Sequence, residues 1–328
     1  MKPTDFAMYL TEYLSNYLVA QKNLSRNTIL SYRDTFKLLL RYCRQMKKIV
    51  PEKLTMDIMS DTLIVDFLEW LETYRGCCAS TRNQRLAAIH SFFRFVQTEE
   101  PAGIFHFQKV IAIPQKKVQK IAIEYLSAEA MKLLLKQPNV QSAKGRRDLT
   151  LLSVLYDTGA RVQELIDLKP CDVIIEHPAV ITLTGKGNKV RRVPIMKNTA
   201  NILKNYFTEY GFNKPWKNQY PLFSNNRYGK LTREGVAYIV SKYAATARKE
   251  SMIIPEHIRP HMIRHSKAMH MLQAGLNLIY IRDFLGHADV KTTDLYAKAD
   301  VESKRTAIES MCTDLVTDTL PDWSKDET

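Results

Sequence analysis

The sequence contains no run approaching the ~20 uninterrupted apolar residues that a membrane-spanning helix needs. Its opening, Met1-Lys2-Pro3-Thr4-Asp5-Phe6-Ala7, lacks the apolar core of a secretory leader. These absences lead to the expectation of a cytoplasmic protein with no membrane partner. Cysteine is scarce, with five in 328 residues: Cys43, Cys77, Cys78, Cys171 and Cys312. The number is odd and the only close pair is adjacent, which suits neither a disulfide framework nor a Cys-x-x-Cys metal site. They are read as reduced bystanders. There is no internal repeat and no low-complexity tract, and Gly185-Lys186-Gly187-Asn188-Lys189 lacks the GxxxxGK[ST] spacing of a nucleotide-binding P-loop.

What the sequence does have is positive charge. Lysine and arginine number 48 against 34 acidic residues, a net charge of +14. An excess of that size points to an anionic partner, nucleic acid or an acidic membrane face. With 328 residues, 45% of them apolar, the chain can bury two separate cores.

Residues 8 to 97 carry helical periodicity. Ser25-Arg26-Asn27-Thr28 caps a segment with Ile29, Tyr32, Phe36, Leu39 and Leu40 on one face, and Ser80-Thr81-Arg82-Asn83 opens another with Leu86, Ile89, Phe93 and Val96. A third runs from Ile58 to Leu71. The pattern predicts an all-helical first domain of four or five helices. From 98 to 124 the sequence is basic, Pro-punctuated and without amphipathic period, and reads as a linker. A helix capped at Ser127 begins the second unit, and a helix from Arg147 closes at Thr158-Gly159, where glycine takes a left-handed conformation. Arg161 then starts a helix over 161–168. The β-branched runs Ala179 to Thr184 and Val190 to Ile195, joined through Gly185 to Lys189, predict a β-hairpin with Lys186 on its turn. Helices follow near 198–210, 232–249, 261–274 and 277–285.

Chemistry concentrates in the second unit. His261 and Arg264, three apart on a helix started by Pro260, share one face. Arginine suits phosphate because its planar fork donates parallel hydrogen bonds and keeps its charge. Arg161 and Arg264 would therefore grip the two non-bridging oxygens of a phosphodiester and stabilise a pentacoordinate transition state. Tyr296 would supply an attacking phenol, which at its ordinary pKa of ~10 needs a proton acceptor; His261 is the nearest by motif. Lys186 would protonate the departing alkoxide, His287 would bond the phosphate or aid proton traffic, and Glu164 would hold the arginines. Nothing in the scheme calls for a metal or nucleotide cofactor. The spacing of His257, His261 and His265 invites comparison with a helical zinc site, but Met262 and Ile263 stand where its glutamate would be and Pro260 interrupts it. His265 is assigned a supporting place and His270 a packing one.

Thr158-Gly159-Ala160-Arg161-Val162-Gln163-Glu164-Leu165, Lys186 in its hairpin, His261-Met262-Ile263-Arg264-His265, Leu285-Gly286-His287 and Thr293-Asp294-Leu295-Tyr296 together resemble the motifs of the tyrosine recombinase (phage integrase) family. The resemblance covers residues 127 to 308 strongly and 8 to 97 by helical character. Ala160 departs from the leucine common in the family, as does Ser266-Lys267-Ala268-Met269-His270 from a run usually holding Phe and Thr; both are expected to pack around the site.

The resemblance implies a mainly α fold with a small β-sheet. Its expected parts are a SAM-like core-binding domain (1–108), a basic linker (109–124), a catalytic domain (125–310) and a tail (311–328) that contacts a neighbouring protomer. The two domains would form a C-shaped clamp on duplex DNA. It also implies Arg161, Lys186, His261, Arg264 and His287 as the activating set and Tyr296 as nucleophile. A 3′-phosphotyrosyl intermediate, a Holliday junction and a homotetrameric synapse follow, with an accessory directionality factor as a further partner. Phosphate-tracking cations are expected at Arg26, Arg33, Lys37, Arg82, Arg85, Lys116, Lys117, Lys189 and Arg191. Integration, excision or transposition of a mobile element is the leading role. A Xer-type dimer resolvase, a non-catalytic DNA-binding regulator of the same fold and a single-acting type IB topoisomerase are the alternatives.

Overall fold

The computed structural model describes residues 2–118, 123–286 and 296, the side chain of Lys186 excepted. His287 and the tail 311–328 lie outside the described residues. The chain divides into two compact units, Met1–Ile121 and Ala122–Thr328.

The described residues of the first unit form helices and connecting loops, with no strand among them. Helix α1 (Asp5–Glu12) runs on as a π-helical segment, Tyr13–Gln21, and is followed by α2 (Arg26–Met46), α3 (Asp61–Thr73), α4 (Ala79–Glu99) and α5 (Ile104–Ile111). Helix α2 starts where its sequence says it should, with the Ser25 side chain accepting from the Thr28 amide. Helix α4 begins earlier than Ser80, with Cys78 as its N-cap. Its apolar face, Leu86, Ile89, Phe92, Phe93 and Val96, is fully buried. There it meets an aromatic cluster in which Tyr13, Phe36 and Phe92 pack edge to face at 5.0–6.3 Å. Burial of each such ring stabilises by about 1.5–3 kcal/mol relative to exposure.

One expectation fails here: the stretch read as a structureless linker contains α5. Phe107, Val110 and Ile113, spaced three apart, are buried in the first core. The eight residues of α5, set between Gly103 and Pro114, are too few for the period to stand out from the surrounding breakers.

The second unit comprises α6 (Ala128–Lys136), α7 (Ala143–Thr158), α8 (Val162–Asp167), strands β1 (Val173–Ile174), β2 (Val180–Thr184) and β3 (Val190–Pro194), then α9 (Lys197–Tyr210), α10 (Arg233–Glu250), α11 (Pro260–Gln273) and α12 (Leu278–Leu285). The sheet is antiparallel in the order β1-β2-β3, so the predicted hairpin gains a short third strand paired Val173 to Ile181. In β2 and β3, Ile181, Leu183 and Val193 point into the core, the period of two expected of a half-buried sheet. A buried ion pair within α7 is tied to α10 by a tyrosine: Arg147 Nη2 donates to Asp148 Oδ1 at 2.6 Å, and Tyr243 Oη on α10 donates to Asp148 Oδ2 at 2.9 Å. Arg147 also reaches the Ser224 carbonyl, so the buried charge is shared among several bonds, the condition under which burial is tolerated.

Candidate active site

Two helices that end on left-handed glycines build the floor of the site. Helix α7 ends at Gly159 with φ +56° and α12 at Gly286 with φ +65°. A side chain on Gly159 would be strained by that φ and would also come within 2.9 Å of Leu285 Cδ2. The reversal at Gly159 makes Arg161 the N-cap of α8, in extended conformation.

The two helix ends expose carbonyls, and guanidinium groups fill the places of the missing amides. Arg264, on the buried face of α11 and 2% exposed, donates from Nη1 to the Gly159 carbonyl at 2.6 Å and from Nη2 to the Leu285 carbonyl at 2.7 Å. Arg161 Nη2 donates to the Gly286 carbonyl at 3.1 Å. Cations at helix C-termini are favoured by the dipole as well as by the unpaired carbonyls. Burial pushes the Arg264 guanidinium down, and the charges of Arg161 and Arg191 push it further, to about 10. It stays charged at neutral pH.

Glu164 gathers Arg161, as expected from the sequence, but its second partner is Arg191 and not Arg264. Its Oε2 accepts the Arg161 amide at 2.8 Å and its Oε1 accepts Arg161 Nη1 at 2.7 Å. From β3, Arg191 adds a bidentate pair, Nη1 to Oε1 at 2.9 Å and Nη2 to Oε2 at 2.6 Å. Burial alone would raise the Glu164 carboxyl, but the bonds from Arg191 and Arg161 outweigh it and hold it at about 2.

Helix α11 carries the histidines. Pro260 occupies its first turn, and His261 and His265 stack at 6.0 Å between ring centroids. Desolvation and the charges of Arg264 and Arg161 lower His261 below its ordinary value. Burial, with the neighbouring His261 and Arg264, brings His265 down to about 4, so its ring is neutral at pH 7. Tyr296 is 1% exposed and packs with Ala268, Met269, Ile281 and Leu285. Its hydroxyl lies 2.9 Å from His265 Nδ1. Burial raises the phenol, while the charges of Arg264 and Arg161 act to lower it.

The structure thus brings Arg161, Glu164, His261, Arg264, His265 and Tyr296 together. Two expected members cannot be placed: His287 and the Lys186 side chain fall outside the described residues. The backbone carrying Lys186 can be placed. Its turn closes through Gly185 N to Lys189 O at 2.8 Å, and a Cβ on Gly185 would sit 2.9 Å from Glu164 Oε1. The base of the turn therefore adjoins the Arg161–Glu164 pair.

The supporting cast differs from expectation at four residues. His265 holds a bond to the phenol, a contact that no spacing in the sequence announces. Arg191, expected on a phosphate-tracking surface, has all three guanidinium nitrogens engaged inside the protein, the third donating to the Phe284 carbonyl. Arg82, expected there too, is 7% exposed and donates to Asn83 Oδ1 and the Pro114 carbonyl. Arg85 is half-buried and bonded to Ser31 and Thr35 across α2. Arg26, Arg33, Lys37, Lys116, Lys117 and Lys189 are exposed. Of the positions that depart from the family pattern, Ala160, Ser266, Ala268 and Met269 are buried, while Lys267 and His270 are half-buried.

Two guanidinium groups, two imidazoles and a tyrosine on this helical scaffold define the class. Residues 124–303 match the phage integrase family and residues 10–100 the phage integrase N-terminal SAM-like domain. The chain belongs to the phage integrase family of tyrosine recombinases, enzymes that cleave and rejoin DNA.

Among its relatives is a putative integrase/recombinase, y4rC, of Sinorhizobium fredii, 34% identical over 94% of this chain and 92% of that protein. Another is the tyrosine recombinase XerC of Roseiflexus castenholzii, 31% identical over 90% of each. The fold is shared with the Tn1549 transposon integrase in complex with transposon right end DNA (TM-score 0.72, 16% identity, 94% of this chain and all of that one). It is shared too with the XerH recombinase bound to palindromic difH substrate (TM-score 0.70, 22% identity, 88% and 81%). No helix among the described residues is long and apolar enough to cross a membrane.

Proposed function

We propose that this chain is a site-specific recombinase of a mobile element that attacks DNA through Tyr296. The observation that carries the reading is the contact between the buried Tyr296 hydroxyl and a neutral imidazole on α11, the same helix that presents His261 and Arg264. Arg161 and Arg264 take the two non-bridging oxygens of the scissile phosphate, exchanging the helix-end carbonyls for a true anion. The phenol gives up its proton as it attacks phosphorus, its oxygen forms the P–O bond, and the bond to the 5′-oxygen breaks. Lys186 protonates that leaving oxygen, and His287 bonds the phosphate. His261 takes the phenolic proton, with His265 holding the ring until the phosphate arrives. The strand is left joined at its 3′-phosphate to Tyr296, and reversal of the step by a new 5′-hydroxyl reseals it. Bond energy is conserved in the ester, so no metal or nucleotide enters the scheme.

Around that chemistry stands a C-shaped clamp of a core-binding domain that takes in α5 and the catalytic domain (125–310), joined by the basic stretch that follows Ile113. With it go a homotetrameric synapse on two duplex sites, a Holliday junction, a tail 311–328 that contacts the next protomer, an accessory directionality factor and a cytoplasmic location. A role in a mobile element is supported by the likeness to y4rC, named an integrase/recombinase. Relatives named XerC and XerD support a second reading, resolution of chromosome or plasmid dimers. A nicked suicide duplex carrying the cognate site tests the chemistry: the wild-type chain forms a covalent adduct and Tyr296→Phe forms none. An adduct of undiminished yield with Tyr296→Phe would reject the assignment. Inverted repeats flanking the gene would favour the mobile element over the resolvase.

A further inference from the structure

The backbone of Leu126 is held at both ends by side chains of the catalytic helix. Its N–H donates to Ser266 Oγ at 2.8 Å, and its carbonyl lies 2.9 Å from His270 Nε2. A carbonyl only accepts, so Nε2 carries the imidazole proton and Nδ1 is an acceptor, which fits the Tyr156 hydroxyl 2.9 Å away. Ser266 Oγ in turn donates to the Met262 carbonyl one turn earlier on α11. Four groups on two helices thus form one chain of bonds ending on a single residue.

That residue's place in the chain gives the bonds their interest. Leu126 is itself buried, immediately before the Ser127 cap of α6, and it follows the basic stretch that leads out of the first unit. Just ahead of it, Ile123 and Tyr125 pack against the cluster formed by Ala268, Met269, Ile281, Leu285 and Tyr296. The segment that packs against the cluster containing Tyr296 is therefore fastened to the helix that carries His261, Arg264 and His265.

We infer that Ser266 and His270 are positioning residues for strand cleavage, latching the incoming chain at Leu126 so that Ile123 and Tyr125 close the pocket of Tyr296. The inference rests on Tyr296 being the nucleophile. The latch ties the attack geometry to how residues 123–126 are held against α11. Both act through the Leu126 backbone, and so on the rate of cleavage and not on DNA affinity.

Single-turnover cleavage of a suicide duplex at saturating protein, beside a separate measurement of DNA affinity, tests this. His270→Leu keeps the volume and removes both bonds; it slows adduct formation about tenfold, the equivalent of one to two neutral hydrogen bonds, with affinity within about twofold of wild type. His270→Gln keeps a donor for the Leu126 carbonyl and restores the rate to within about threefold. Ser266→Ala slows cleavage too, and because both side chains hold one residue, the double variant Ser266→Ala/His270→Leu is little slower than His270→Leu alone. Circular dichroism and thermal melting confirm that each variant is folded before its rate is used. A folded His270→Leu that cleaves at the wild-type rate, a loss confined to DNA affinity, or a His270→Gln no faster than His270→Leu would each overturn the latch. A wild-type chain that forms no adduct in the same assay would remove the Tyr296 reading and this one with it.

Discussion

Replacing Glu164 by glutamine should cost the second unit about 3 kcal/mol at neutral pH, and two independent arguments give that figure. The carboxylate is 4% exposed and is the shared acceptor of Arg161 and Arg191. Removing one partner of a buried ion pair typically costs ~3–5 kcal/mol, because the charge left behind is uncompensated. By linkage, a carboxyl displaced from its ordinary 4.5 to about 2 contributes about 3 kcal/mol in the folded state. The sign follows from the direction of the displacement. A carboxyl held low in the folded protein stabilises it above pH 4.5, and that contribution fades as the pH falls through 4.5 toward 2. The difference in stability between wild type and Glu164→Gln should therefore be full at pH 6 and shrink steadily on acidification, since a protonated glutamate resembles glutamine. Urea unfolding followed by circular dichroism from pH 6 to pH 3 measures it, and referring every point to wild type cancels the other titrating groups. Cleavage should fall as well, because Arg161 loses the group that aims it. A variant within 0.5 kcal/mol of wild type at pH 6, flat with pH and fully active, would refute the reasoning, ~0.5 kcal/mol being the scale of an ordinary surface change.

Three further outcomes follow. His265, displaced from 6.5 to about 4 by burial, is neutral in the folded protein where the unfolded chain would already be protonated. Its contribution to stability is present above pH 6.5 and lost as pH falls toward 4, and adduct formation should decline over the lower part of that range as the ring loses its acceptor; a rate undiminished at pH 4 would contradict this. DNA affinity should fall steeply between low and physiological salt as counterions are released, at about 0.9 log unit per log unit of salt for each phosphate neutralised; a flat titration would count against a basic surface. Arg33→Ala or Lys37→Ala should reduce that slope by about one, whereas Arg82→Ala should lower the melting temperature of the first unit and leave the slope alone; a lower slope with unchanged melting would return Arg82 to the DNA.

How much of this was legible in the sequence depends on the range of the interaction. The end of α7 was, because a glycine after Thr158 reports its own backbone conformation, and so was the shared face of His261 and Arg264, because three residues make most of a helical turn. Glu164 three residues after Arg161 is equally local. Partners far apart in the chain were not legible: His265 with Tyr296, 31 residues on, or His270 with Leu126, 144 residues back. The same limit explains the misplaced cations. Arg82 and Arg191 read as surface charge from composition alone, and only the fold sets Pro114 beside one and Glu164 beside the other. Helix α5 was missed for a different reason, its length of 8 residues being too short for the period of Phe107 and Val110 to emerge from the proline and glycine around it.

The central claim is that the phenolic oxygen at position 296 becomes esterified to the cut strand. Proteolysis of the trapped adduct, followed by tandem mass spectrometry of the nucleotide-bearing peptide, tests it directly. The nucleotide mass should lie on Tyr296, in a peptide that also loses it under phosphotyrosine-cleaving conditions. Location of that mass on any other side chain would contradict it.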